Sequence, residues 1–163
     1  MNAPASIKAI SFEQDAQLAK DLLATIRSEQ AALVRADIDA IEDLLDKKSE
    51  VLQRMNIVVM NRYEALAANG FEPNETGMGE WLKQQAKPAL NEAWANLKKT
   101  LIQAKELNRL NGLLINRHSM LNQQLLDHLH GSSGQADVYG RNGQAKAQST
   151  KRDALVVELI WLS

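Results

Sequence analysis

Residues 88–130 read PALNEAWANLKKTLIQAKELNRLNGLLINRHSMLNQQLLDHLH, and this stretch decides the fold. Taken at alternating steps of four and three, it yields Leu90, Trp94, Leu97, Leu101, Ala104, Asn108, Asn111, Ile115, His118, Asn122, Leu125 and Leu129. A seam repeating every ~3.5 residues is the pattern by which one helix lies along another. Leu107, Leu110, Leu114 and Leu121 run beside it, so the apolar face is wider than one seam. Asn108, Asn111, His118 and Asn122 place polar groups where a plain coiled coil carries aliphatics. The rest of the chain reads as partner, cap or extension of this helix.

The composition agrees. Apolar residues make up 45% of the 163 and aromatics only 4%, with Leu, Ala, Gln, Glu, Lys and Asn abundant, which favours helices over sheets. A formal net charge of −1 lacks the basic excess of a nucleic-acid binder. Cysteine is absent, which excludes disulfides and thiol chemistry. The opening MNAPASIKAISFEQ has no apolar core of a secretory signal, and no run approaches the ~20 apolar residues of a spanning helix. A cytoplasmic, all-α protein is expected.

Upstream, Ser11 and Gln14 fit a capping box at the start of a first helix. Its seam continues through Leu18, Leu22, Glu29, Leu33, Leu44, Lys48, Val51, Met55, Val58, Arg62 and Leu66 to the stop at Asn69-Gly70. A helix over 11–69 would be on the order of 85 Å long and would need a companion along its length. Residues 71–79 form a connection, 79–87 a short helix, and Pro88 suits the first turn of the helix over 88–130. The predicted fold is therefore a long antiparallel helical hairpin, coiled-coil-like, with a short connecting helix, together spanning 1–131. Leu45, Leu52, Ile57, Val59 and Leu113 lie off the stripe, so the hairpin calls for further cover from the short helix, a second copy or a partner.

From 132 to 150 the chain is mostly Gly, Ser, Gln, Ala and Asn, the composition of a flexible linker. Residues 151–163, KRDALVVELIWLS, turn abruptly apolar. They are too short to span a membrane and too apolar for a solvated tail. Two readings stay open: a helix that captures a partner, and a helix folded back on its own hairpin.

Little in the sequence carries chemistry. Asp37, Asp39, Glu42, Asp43 and Asp46 crowd one region, but the Glu-x-x-His pairs of two-metal bundles are missing, so a solvated acidic face is the better account. His128 and His130 point to different sides of a helix and suit its C-terminal dipole rather than zinc. His118, on the seam, reads as a core histidine. The glycines between 131 and 143 lack the Gly-Lys-Ser/Thr of a phosphate loop. Neither an enzyme nor a cofactor is expected.

The polar cluster Asn108, Asn111 and Gly112 remains. A helical Gly suggests close helix approach or a bend. If the hairpin turns near residue 78, Asn108 and Asn111 face residues 46–49, and buried amides opposite Lys48 would fix register. On that reading Asn111→Leu should raise thermal stability or change the oligomeric state.

Trp94-x-x-Leu97, Asn108-x-x-Asn111-Gly112-x-Leu114-Ile115 and Tyr139-Gly140-x-x-Gly143, in this order, resemble the flagellar export chaperone FlgN family. Glu29-x-x-Ala32-Leu33, Asp37, Lys48 and Arg62 of the first helix are similar to it too, and the likeness covers residues 18–143. It implies a non-enzymatic protein that binds the hook-associated junction proteins FlgK and FlgL in the cytoplasm, prevents their premature assembly and delivers them to the flagellar export gate. The resemblance places gate docking on Tyr139. It places cargo contact on the C-terminal segment, with Leu155, Val156, Leu159, Ile160, Trp161 and Leu162 as the contacts. Trp94, Asn108, Asn111, Gly112 and Ile115 would be structural, fixing register. A coiled-coil dimerisation module without a secretion role is the alternative, and it would not need the linker and apolar segment. A membrane-surface role is disfavoured because Lys151 and Arg152 are that segment's only basic residues.

Overall fold

The computed structural model describes residues 9–131. Four helices fill them, with no strand among the described residues: α1 (Glu13–Arg35), α2 (Ile38–Ala68), α3 (Glu75–Gln85) and α4 (Pro88–Gly131).

The expected helix over 11–69 is in fact two, folded back on each other at Ala36 and Asp37. Ala36 takes the left-handed conformation (φ 54°), and the Ala36 and Asp37 N–H groups donate to the Leu33 and Ala32 carbonyls, at 3.1 and 3.0 Å. That double bond pattern closes a helix C-terminus. Asp37 then opens α2, its Oδ1 accepting from Ala40 N–H at 3.2 Å. The apolar seam runs through the break because both new helices bury the same stripe, so periodicity alone hides the corner. The 85 Å span disappears, and α1 and α2 supply each other's cover.

At the N-terminus Phe12, not Ser11, holds the capping position, and its ring is buried. Ser11 Oγ still accepts from Glu13 N–H at 3.3 Å. The connecting helix starts earlier than residue 79 because Asn74 caps it, its Oδ1 accepting from Gly77 N–H at 2.8 Å. Ala86, at φ 49°, ends α3 just before Pro88 starts α4.

Two sets of contacts give the helix directions. Glu29 pairs with Lys48 and Asp15 with Arg62, so α1 and α2 are antiparallel. Phe12 stacks near Trp94 and Glu29 reaches Asn111, so α4 runs parallel to α1. The core has two parts. Near α3 it gathers Phe12, Leu66, Met78, Trp81, Leu82 and Leu97. Further along, Leu18, Leu22 and Ile26 of α1 meet Val51, Leu52 and Met55 of α2 and Ala104 of α4. Each fully buried Leu or Met contributes about 1.5–3 kcal/mol.

Candidate functional site

The helix directions bring Glu29, Lys48, Asn108 and Asn111 to one level of the bundle. Lys48 Nζ donates to Glu29 Oε1 at 2.7 Å and to Asn108 Oδ1 at 3.2 Å. Asn111 Nδ2 donates to Glu29 Oε2 at 2.8 Å and to the Ile26 carbonyl at 2.9 Å. Glu29 and Asn111 are each 1% exposed. Both carboxylate oxygens are therefore bonded, one from α2 and one from α4, and a buried charge so paired is tolerable. Asn108 lies opposite Lys48, as the fold-back about residue 78 requires, but Asn111 turns to α1 instead. Because its amide holds a carboxylate oxygen, replacing it with Leu would remove a needed donor, which reverses the sign of the expected stability change.

A second charged pair sits toward α3. Asp15 and Arg62 form a buried ion pair. The Arg62 guanidinium carbon lies 5.2 Å from the Trp94 ring centre and 5.5 Å from that of Tyr63. Burial pulls its pKa below the ordinary arginine value, opposed by Tyr63. Trp94 also stands 5.2 Å from Phe12 and 5.6 Å from Lys98 Nζ. Trp94 thus anchors α4 to the start of α1. Sequence reading placed Arg62 on the seam but assigned it no partner, since Asp15 lies on a different helix 47 positions away.

Gly112 behaves otherwise than its pattern suggests. A Cβ there would meet nothing within 4 Å, and α4 continues without a break, so neither close approach nor a bend requires it. Ile115, 40% exposed, is at the edge of the packed region.

Beyond that edge most side chains of α4 are exposed. The Glu29–Asn111 contact sets Arg35, the last residue of α1, about level with Arg117, and every residue from 119 to 130 is exposed. Met120, Leu121, Leu125, Leu126 and Leu129 are 49–68% exposed. His128 and His130 lie on these turns, and His130 Nδ1 is 2.7 Å from the Leu126 carbonyl. Tyr139 and the segment with Leu155, Val156, Leu159, Ile160, Trp161 and Leu162 lie outside the described residues.

A shallow groove of about 710 Å³ separates the start of α1 from α4, lined by Phe12, Ala16, Lys20, Leu90, Leu97 and Lys99 among others. No three His, Cys, Asp or Glu side chains gather as a metal site among the described residues, and no described helix is long and apolar enough to cross a membrane.

No curated protein and no solved structure matches the chain. A family model described as FlgN protein matches residues 9–147, which takes in all four helices and the Asn108–Asn111 pair that ties α4 to the hairpin. On that match the chain belongs to the FlgN family of flagellar export chaperones.

Proposed function

We propose that the chain carries the hook-associated junction proteins FlgK and FlgL through the cytoplasm to the flagellar export gate, shielding their C-terminal helical regions until delivery. Residues 155–162 make the cargo contact, with Trp161 as anchor, and Tyr139 docks on the gate. The observation that carries this reading is the segregation of apolar residues. The chain builds a closed bundle as far as Ile115, then exposes Leu121, Leu125 and Leu129 on α4, with seven large apolar residues between 155 and 162. A protein that captures amphipathic helices needs such surface held apart from its own core.

Calorimetric titration with the C-terminal helical fragment of each junction protein tests the reading. Saturable one-to-one binding, weakened by removal of residues 151–163, is expected. Binding that survives the truncation would move the contact to the helices, and no binding to either fragment would overturn the assignment.

A further inference from the structure

The groove between the start of α1 and α4 has an apolar floor, two helical walls and opposite charges at its two ends. Phe12 and Leu97, only 3% and 2% exposed, form the floor. The row Glu13–Ala16–Lys20 is one wall, and Ala89–Ala93–Asn96–Thr100–Gln103 the other. Steps of three and four keep each row on one face of its helix. Ala16, Ala89 and Ala93 are small, so the walls stand back from the floor and leave about 710 Å³ open. From Ala89 to Gln103 is fourteen rises, ~21 Å or about four turns. A concave apolar strip of that length fits one face of an amphipathic helix.

The charges on the rim select which helix. Phe12 meets Trp94 and Glu29 meets Asn111, so α1 and α4 keep one register along this stretch. In that register Glu13 stands level with Ala95, Lys20 with Ile102 and Lys99 with Gln17. The two lysines therefore share one end of the groove, about three rises or ~4.5 Å apart along the axis. Among the described residues neither is in an ion pair, whereas the adjacent Lys98 is held by Glu75 at 3.3 Å. A pair of like charges beside an apolar strip favours a carboxylate partner. The helix dipole adds direction, because a negative C-terminal end suits the lysines and a positive N-terminal end suits Glu13.

We propose that this groove binds an amphipathic helix of a partner protein, lying parallel to α1 and α4, with an acidic last turn seated at Lys20 and Lys99. A second copy does not offer that fit from its described helices. The last turns of α1, α3 and α4 carry Arg35, Lys83 and His130, and that of α2 is uncharged. The site lies on the helical body, apart from the cargo contact placed on residues 155–162, and does not depend on that reading. A bundle holding cargo through that segment keeps the groove for a second protein.

The probe is a synthetic helical peptide of about fifteen residues, apolar on one face and ending in two glutamates, with a twin ending in two lysines. Fluorescence anisotropy with the full-length protein should show saturable binding of the acidic peptide, about ten-fold tighter than its twin and weakened by salt. Lys20→Glu/Lys99→Glu, at two exposed positions, should invert that preference. Ala89→Trp, projecting an indole into the groove from an exposed position, should weaken binding of the acidic peptide about ten-fold. No binding, equal affinity for the two peptides, a preference that survives charge reversal, or binding indifferent to Ala89→Trp would each overturn the inference. Binding seen only after removal of residues 1–8 would give the groove to the chain itself. An oligomeric state altered by the charge reversal, in analytical ultracentrifugation, would give it to a second copy. Either result also overturns the inference.

Discussion

Lys48 Nζ lies 2.7 Å from Glu29 Oε1, with the two side chains 10% and 1% exposed, and this contact joins helices that the sequence presents as one. Removing one partner of a buried pair leaves a bare charge. Lys48→Ala should therefore lower unfolding free energy by about 3 kcal/mol. Glu29→Leu/Lys48→Met, with both charges gone, should recover most of the loss. Urea unfolding followed by circular dichroism checks it, and a double variant as unstable as Lys48→Ala would show that packing, not charge, dominates the site.

Asn111→Leu should destabilise by about 1–3 kcal/mol, because Glu29 Oε2 and the Ile26 carbonyl both lose their donor. A raised melting temperature in differential scanning calorimetry would mean that the amide costs more to bury than its two bonds return.

Ala36 and Ala86 both adopt positive φ, 54° and 49°. An L-residue held there carries a penalty that glycine escapes. Ala36→Gly should stabilise by about 1 kcal/mol, a rise of about 2–4 °C in Tm. The outcome also reports on the corner itself, since a continuous helix through residue 36 would be weakened by glycine instead.

Gly77 is closed to any side chain, as a Cβ would run into the Glu72 backbone, 2.8 Å from its nitrogen. Gly77→Ala should cost at least ~1–3 kcal/mol by displacing the turn that leads into α3. Gly79 and Gly112 meet nothing in the same test, so alanine at either should be neutral or slightly stabilising in thermal melts.

The start of α4 was legible in the sequence: Pro88 opens it and the seam continues unbroken along it. So was the pairing of Asn108 with Lys48, because a hairpin about a fixed corner sets which residues share a level. The segmentation of the first helix was not. An alanine in the left-handed conformation announces nothing, and the signal available, Asp37 capping toward Ala40, sat inside a seam that kept its phase.

The sequence by itself determined that the chain is helical, where its apolar stripes run, and which family it belongs to, since period, caps and motif order are local properties of the chain. Only the tertiary structure decided what those stripes and charges meet. That Glu29 binds Lys48 and Asn111 at once, that Arg62 finds Asp15 and lies over Trp94, and that α4 outruns α1 all follow from one backbone corner at Ala36. Burial and hydrogen bonding depend on distances between helices, and these are fixed only when the chain has folded back.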